Sequence, residues 1–339
     1  MKLYAFGNFG VLAFGNDLGC CKSLQMNSLA LALNAIIDDS AWRLSNMFNP
    51  AAIFYWLPTA SNMQRQNVEN VVEEYFTRTL HQKRQANVLS PGNRDLLRLL
   101  LDHFGENSPS LKSVFEILRT TFVAAYATTS FGLGAAFWLV ARHPHVEALC
   151  LEEINRVLGS GGFNDASHVN QLVYCRATLL EALRKYPSVP LVTRILEKNA
   201  ALGGSTYLAG TKVLIPLWSI HRDPDNFPRP DEFIPERWVK RRDDGVWEER
   251  FEGDESQEES GVPPANRNAF VAFSGGGRNC VGQKFALNEG TMVFAALLRE
   301  IKMEVVLKED LDIVLSVVTL NAKNGIPLSF KRRGVSRAS

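Results

Sequence analysis

The sequence predicts a mainly α-helical protein with a minor β component, of the α+β class. Long stretches before Pro187 carry apolar residues at helical spacing, whereas short alternating segments occur after residue 200 and near the C-terminus. The strand-like segments do not alternate regularly with helical ones, which argues against a parallel α/β sheet. The chain has 339 residues, 46% hydrophobic and 22% charged. This composition excludes disordered, collagen-like and disulfide-scaffold proteins.

Apolar periodicity and helix-end residues predict four helices in the first part of the chain. They cover residues 64–85, 111–142, 144–158 and 172–186. Pro144 suits the first position of its helix, Gly159 suits the position after a last helical residue, and Pro187 ends the fourth helix.

Residues 120–141 contain no charged side chain and are numerous enough to cross a bilayer. The same segment contains Thr128, Gly132 and Gly134, and it continues directly into Arg142. Because ordinary helical sequence flanks it on both sides, we expect a helix that passes through the core of a soluble protein.

The location expected for the chain is intracellular and reducing. The N-terminus lacks the pattern of a secretory signal peptide, and no hydrophobic anchor is evident. The five cysteines include no Cys-x-x-Cys pair, which argues against a disulfide framework and against a structural zinc site. A net charge of +1, without a basic patch interleaved with aromatic residues, argues against a nucleic-acid partner.

The second half of the chain is predicted to contain loops and short strands. Two strands are expected within 201–217, on either side of Ala209-Gly210, and 224–237 is expected to be irregular. Residues 243–260 hold nine acidic side chains and Arg250, so a mobile, solvated acidic loop is expected there.

A helix is expected to follow the Gly-rich segment 273–282 and to reach about Glu304. Alternating residues then predict three further strands, with a turn at Asn324-Gly325. These strands are Glu304–Leu307, Ile313–Leu320 and Pro327–Lys331.

The segment Phe273-Ser-Gly-Gly-Gly-Arg-Asn-Cys280-Val-Gly282 has the most specific chemistry in the chain. A P-loop is excluded, because Gln283-Lys284 stands where Lys followed by Ser or Thr is required. A catalytic nucleophile would need a base, and no motif links Cys280 with the nearest histidine, His221. A buried free cysteine is the plain structural alternative.

A cysteine at the start of a helix, after glycines, suits an iron ligand. Glycine frees the backbone, so that N–H groups can turn toward the sulfur, and the helix dipole adds positive potential. Both features favour the thiolate form of Cys280. Arg278 offers a cation to a nearby carboxylate.

This segment resembles the haem-binding loop of the cytochrome P450 family, Phe-x-x-Gly-x-Arg-x-Cys-x-Gly, at every defined position. The matching residues are Phe273, Gly276, Arg278, Cys280 and Gly282. The resemblance implies haem b as the cofactor, Cys280 as the ligand of its iron, and the other four residues as cofactor-binding positions.

Four further motifs of that family occur in the family's order. They are Glu181-Ala-Leu-Arg184, the segment from Val189 to Arg194, His221-Arg-Asp-Pro224 and Phe233-Ile-Pro-Glu236-Arg237-Trp238. Taken alone, Glu181 and Arg184 form an i,i+3 pair off the apolar stripe, typical of a solvated salt bridge. The resemblance instead implies a buried network of Glu181, Arg184 and Arg237, and it places Arg194 and Arg278 at the haem propionates.

The long helix resembles the family's central helix over the haem, with one departure. Thr128 takes the place of the catalytic threonine, but Ala127 stands where the family has an acid that helps to relay protons during the reduction of dioxygen. A threonine that bonds back to a helix carbonyl is the equally weighted alternative.

The resemblance covers the later part of the family fold, with the central helix over the haem and the cysteine loop beneath it. We therefore expect residues 1–339 to form a single haem-thiolate domain that lacks the usual N-terminal anchor and first helices. Family members with an anchor sit on the endoplasmic reticulum membrane.

The implied function is a haem-dependent monooxygenase that inserts one oxygen atom from O2 into an apolar organic substrate, such as a fatty acid or another lipid-like molecule. An external NADPH-dependent reductase would supply the electrons. Two alternatives stay open: a haem-thiolate isomerase or dehydratase of lipid peroxides, and a catalytically inactive truncated fragment.

Overall fold

The computed structural model describes residues 1–46, 48–49, 54, 56–85, 95–105, 108–250, 261, 265–306, 309–316 and 318–334. In chain order its helices are α1 Lys2–Phe14, α2 Cys20–Ser23, α3 Ser28–Ser45, α4 Ala60–Gln85, α5 Leu96–Phe104, α6 Ser108–Arg142, α7 Pro144–Leu158, α8 His168–Gln171, α9 Val173–Lys185, α10 Leu217–Ile220 and α11 Gln283–Glu300. The strands are β1 Val192–Ile195, β2 Ala200–Leu202, β3 Ser205–Tyr207, β4 Lys212–Ile215, β5 Val239–Arg241, β6 Trp247–Glu249, β7 Ile301–Val305, β8 Ile313–Ser316, β9 Thr319–Ala322 and β10 Leu328–Arg332.

The strands form antiparallel two-stranded sheets. The pairs are β1–β4, β2–β3, β5–β6, β7–β10 and β8–β9. The predicted fold class, mainly α with minor β, is confirmed. The chain divides into two compact units, Met1–Ser130 and Phe131–Ser339, and helix α6 supplies residues to both. The prediction of a single domain over residues 1–339 stays a prediction.

The first unit is held together by a cluster of aromatic rings from α1, α4 and α6. The ring of Phe122 lies at its centre, with centroids 5.4 Å from Phe6, 4.6 Å from Phe9 and 5.5 Å from Phe14. Phe76 of α4 completes the cluster. All five side chains are buried, so their apolar area contributes to the stability of this unit.

The second unit packs the last part of α6 closely against its neighbours. A Cβ atom added at Gly134 would lie 2.8 Å from Cδ1 of Ile326, and one added at Gly132 would lie 3.1 Å from Cδ2 of Leu183. The glycines that interrupt the apolar run therefore let other parts of the protein approach the helix backbone.

One helical segment in the described part of the chain, Leu111–Arg142, is long and apolar enough to span a membrane. In its most apolar window, 61% of the residues are buried inside the protein. This burial agrees with the expected core helix.

The four predicted helices are confirmed as α4, α6, α7 and α9, and Gly325 has the left-handed backbone expected of the predicted turn (φ 74°). The helix after the Gly-rich loop ends at Glu300, four residues early, because Ile301 already pairs with Arg332 in the β7–β10 sheet. Residues 201–217 contain parts of three strands instead of two.

Two other expectations differ from the structure. The strand predicted over 313–320 is a hairpin, β8 and β9, in which Ser316 pairs with Thr319. The alternation continues through the turn without Gly or Pro, so the sequence pattern conceals it. Within the acidic segment 243–260, β6 pairs with β5 and Trp247 is buried. Residues 251–260 lie outside the described residues, so a mobile loop there stays a prediction.

Candidate functional site

The Gly-rich segment forms a closed loop that ends at the start of α11. The backbone N–H of Cys280 donates to the carbonyl oxygen of Phe273 at 2.8 Å, across the mouth of the loop. Residues 276–278 make a short 3-10 turn, and the left-handed backbone of Gly276 (φ 71°) explains the need for glycine there. Gly282 is the N-cap of α11, so Cys280 stands two residues before that cap.

The thiol of Cys280 is open to solvent. Cys280 is exposed, and the next residue, Val281, is 100% exposed. A Cβ added at Gly282 would lie 3.9 Å from the Cys280 sulfur, so glycine leaves the space beside the sulfur clear. Within the described residues no hydrogen bond reaches this sulfur, so the expected turning of N–H groups toward it stays a prediction.

Two arginines are available beside the loop. Arg194, on β1, donates from Nη2 to the hydroxyl oxygen of Ser274 at 2.9 Å, and this bond holds β1 against the loop. Arg278 lies on the loop itself and is exposed. In the part of the chain that the structure describes, neither guanidinium pairs with a carboxylate. Both can therefore bind carboxylates of a ligand.

A buried ionic core is centred on Glu181 of α9. Its carboxylate accepts hydrogen bonds from Arg184 Nε at 3.0 Å and Nη2 at 2.8 Å, and from Arg237 Nε at 3.1 Å. The backbone N–H of Ile234 at 3.1 Å and the indole N–H of Trp238 at 2.9 Å complete its shell. Glu181, Arg184 and Arg237 are at most 1% exposed, so the predicted buried network is confirmed.

The two arginines of this core also satisfy backbone carbonyl groups. Arg184 donates to the carbonyl oxygens of His221 at 2.8 Å and Glu232 at 2.9 Å, and Arg237 donates to that of Pro228 at 2.9 Å. Burial alone would raise the pKa of the Glu181 carboxyl, but the charges of Arg184 and Arg237 outweigh it, and the net pKa is lowered. The carboxylate stays ionised, and the core fastens the irregular segment 228–237 to α9.

A histidine connects this core with the Gly-rich loop. The Nε2 atom of His221 accepts a hydrogen bond from the backbone N–H of Val271 at 3.0 Å, two residues before Phe273. His221 and Trp238 lie in motifs of the family resemblance, but no contact was expected for either side chain. The hydrogen bond between Ser274 and Arg194 was not predicted, because no local pattern marks Ser274.

Thr128 belongs to the first unit, whereas the other predicted site residues belong to the second. The Thr128 hydroxyl donates to the carbonyl oxygen of Ala124 at 2.7 Å. This is the back-bonded conformation that was the alternative expectation for Thr128.

The residues around Cys280 fit haem. Within the described residues, no group of three or more His, Cys, Asp or Glu side chains could hold a metal ion. Haem brings its own ring nitrogens to the iron and needs one further ligand from the protein, which the exposed Cys280 sulfur could supply. Haem also carries two carboxylates, and Arg194 and Arg278 are two guanidinium groups without an acidic partner among those residues. The donor set therefore matches the cofactor.

The chain is similar to curated proteins over most of its length. It is 28% identical to Cytochrome P450 4d8 of Drosophila melanogaster over 327 residues, covering 90% of this chain and 66% of the relative. It is 29% identical to Taurochenodeoxycholic 6 alpha-hydroxylase of Sus scrofa (86% and 55%) and 32% identical to Cytochrome P450 4V2 of Mus musculus (70% and 42%). The chain thus spans less than two thirds of the length of these relatives.

A family model accounts for the similarity to these relatives. The model described as Cytochrome P450 matches residues 1–328, nearly the whole chain. Its members bind haem through a cysteine thiolate, and haem iron is their cofactor. The chain therefore belongs to the cytochrome P450 family.

Proposed function

We propose that this chain is the haem-binding part of a monooxygenase that inserts one oxygen atom from O2 into an apolar organic substrate. The observation that carries the proposal is the open Cys280 sulfur at the start of α11, beside two guanidinium groups without an acidic partner in the described part of the chain. Bound haem supplies an iron centre at which dioxygen is reduced with electrons from an external NADPH-dependent reductase.

The residues of the loop have separate roles in this proposal. Cys280 would hold the haem iron through its thiolate. Gly276 and Gly282 let the backbone turn and keep the space around the sulfur clear, while the Phe273 carbonyl closes the loop through its bond with the Cys280 N–H. Arg194 and Arg278 would bind the two haem carboxylates and so hold the ring in one orientation.

Thr128 is proposed to pass protons toward the site through water. Its hydroxyl hydrogen is donated to the Ala124 carbonyl, so the hydroxyl must first turn about its Cβ–Oγ1 bond before it can pass a proton elsewhere. Ala127 provides no acid to assist it, so water must take that part.

The proposed substrate class is apolar and lipid-like. One relative is named Taurochenodeoxycholic 6 alpha-hydroxylase, and this name describes that protein as a hydroxylase. Fatty acids and related lipids are the first compounds to test. The proposed location is intracellular.

The second candidate function is a haem-thiolate isomerase or dehydratase of lipid peroxides. The observation that favours it is Ala127, which removes the acidic member of the proton relay. The two candidates differ in their need for electrons: turnover of a lipid hydroperoxide without a reductase supports the second, and reductase-dependent hydroxylation supports the first.

The proposal is tested by adding haem to the full chain and recording the absorption spectrum of the reduced carbon-monoxide complex. A thiolate-type Soret band is expected for the unaltered chain and for the control variant Cys21→Ala, which changes another exposed cysteine. Cys280→Ala should abolish the band. An unchanged band in Cys280→Ala would overturn the assignment, and a chain that takes up no haem would support the inactive-fragment alternative.

A further inference from the structure

His221 is fully buried and held on several sides. Its ring stacks on Phe270 with a centroid distance of 5.4 Å and an interplanar angle of 16°, and it meets the edge of Phe227 at 5.9 Å. Nε2 accepts the hydrogen bond from the Val271 N–H. Because Nε2 is an acceptor, the ring is neutral and carries its hydrogen on Nδ1. Nδ1 is buried and has no hydrogen-bond partner among the described residues.

The backbone of His221 is fixed by the ionic core. Its carbonyl oxygen accepts the 2.8 Å hydrogen bond from Arg184 Nη1, and its N–H donates to the carbonyl of Leu217 at 3.0 Å in α10. The residue therefore stands between a rigid, fully buried ion cluster on one side and the segment that leads into the Gly-rich loop on the other.

Further hydrogen bonds link Val271 with Cys280. The Val271 carbonyl accepts the N–H of Ser274 at 2.8 Å, and the Ser274 hydroxyl accepts the bond from Arg194. The Phe273 carbonyl then accepts the N–H of Cys280. Short backbone bonds thus connect the amide that His221 holds to the amide of Cys280.

We propose that His221 is a positioning residue for the Cys280 loop, acting through the acceptor lone pair of its neutral imidazole on the Val271 amide. The alternative is that His221 only fills space with an aromatic ring. Burial favours a neutral ring most strongly, and the charges of Arg184 and Arg222 oppose a positive charge there more than Glu181 favours one. Together they lower the pKa of His221 to about 4.

Two variants separate the acceptor from the ring. His221→Phe keeps an aromatic ring for Phe270 but has no acceptor, whereas His221→Gln lacks the ring but can place its amide oxygen near the position of Nε2. His143→Phe is the matched control, because His143 packs on Phe233 and bonds to a helix carbonyl, that of Leu139, away from the loop.

The first readout is hydrogen–deuterium exchange of the peptide 268–275 in the full chain, and it does not depend on the proposed function. His221→Phe should exchange about tenfold faster in this peptide, as expected for loss of one hydrogen bond. His221→Gln should return toward the original rate, and His143→Phe should not change it. An unchanged rate in His221→Phe, or equal acceleration in both His221 variants, would overturn the proposal.

The second readout rests on the proposed haem-thiolate function. In the haem-loaded chain, His221→Phe should lose at least half of the thiolate-type Soret band of the reduced carbon-monoxide complex, roughly the effect expected of a loosened loop. His221→Gln should retain it. If the unaltered chain shows no such band, the proposed function fails while the exchange experiment still decides the role of His221. If His221→Phe does not fold, the exchange rate of peptide 268–275 in His221→Gln alone decides the role of His221. An exchange rate equal to that of the unaltered chain supports the proposal, and faster exchange overturns it.

Discussion

The guanidinium of Arg194 on β1 donates to the hydroxyl of Ser274 in the Gly-rich loop at 2.9 Å, across 80 residues of sequence. This bond brings a cation without an acidic partner in the described part of the chain next to the loop that carries Cys280. Ser274 itself has a left-handed backbone (φ 61°), which is uncommon for a residue with a side chain. The contact therefore accompanies a local strain that glycine would avoid, and it gives Ser274 a role that glycine could not fill.

Removing Arg194 or Arg278 should weaken haem binding. A hydrogen bond to a charged group contributes about 1.5–3 kcal/mol, so Arg194→Ala and Arg278→Ala should each raise the dissociation constant about 10- to 100-fold. Haem titration of the cofactor-free chain, followed by Soret absorbance, measures this effect. Arg242→Ala, which changes an exposed arginine on the β5–β6 connection, is the control. Changes in the dissociation constant below about twofold in both Arg194→Ala and Arg278→Ala would exclude propionate binding by these residues.

Removing the carboxylate of Glu181 should destabilise the protein strongly. Glu181→Ala leaves Arg184 and Arg237 as buried charges without compensation, which costs on the order of 3–5 kcal/mol. Urea unfolding followed by circular dichroism measures the free energy of unfolding of each variant. Glu304→Ala removes an equally charged but only partly buried partner of Lys302 and Lys331, and it should leave the unfolding midpoint nearly unchanged. Similar losses of unfolding free energy in Glu181→Ala and Glu304→Ala would mean that the buried ion pairs of Glu181 stabilise the protein no more than the surface ion pairs of Glu304.

Acid should destabilise the unaltered chain more than His221→Gln. Burial, together with the charge of Arg184, lowers the pKa of His221 from 6.5 to about 4 in the folded protein. Between these values the unfolded chain binds a proton at His221 and the folded chain does not. Stability therefore falls as the pH falls from 6.5 toward 4, and it recovers as the pH rises.

The lowering of the His221 pKa corresponds to at most about 3 kcal/mol of the free energy of unfolding. The measurement compares the free energies of unfolding of the unaltered chain and of His221→Gln at about pH 7 and about pH 4.5. Subtracting the change in one chain from the change in the other removes the effect of the carboxylates that both chains share. Parallel pH dependence in the two chains would show that His221 titrates normally and is not held neutral by the fold.

A side chain at position 134 should disturb the packing of α6. The Cβ of Gly134→Ala would lie 2.8 Å from Cδ1 of Ile326, so one of the two must move, at a cost of about 1–3 kcal/mol. Ile326→Val removes that Cδ1 atom, and the double variant should recover most of the loss. Gly7→Ala is the control, because among the residues that the structure describes no atom outside its own helix lies within 4 Å of the added Cβ. Additive losses in the double variant would contradict the close contact.

The sequence by itself determined the helices and the composition of the cysteine loop. Helical periodicity is a local property, so α4 and α7 could be predicted from spacing and end residues alone. The five defined positions of the loop, from Phe273 to Gly282, lie within ten consecutive residues, and their chemistry could be read in the same way. Thr128 was placed by its motif, but its bond to the Ala124 carbonyl depends on a rotamer that no pattern specifies.

Only the tertiary structure decided which of these residues are buried together. As an i,i+3 pair, Glu181 and Arg184 could equally well lie on a solvated surface. Their burial results from Ile234 and Arg237, which reach Glu181 across 53 and 56 residues. The bond between His221 and the Val271 amide spans 50 residues. Such contacts gain their energy when distant segments exclude water from one another, and this exclusion depends on the packed fold rather than on the spacing of neighbouring residues.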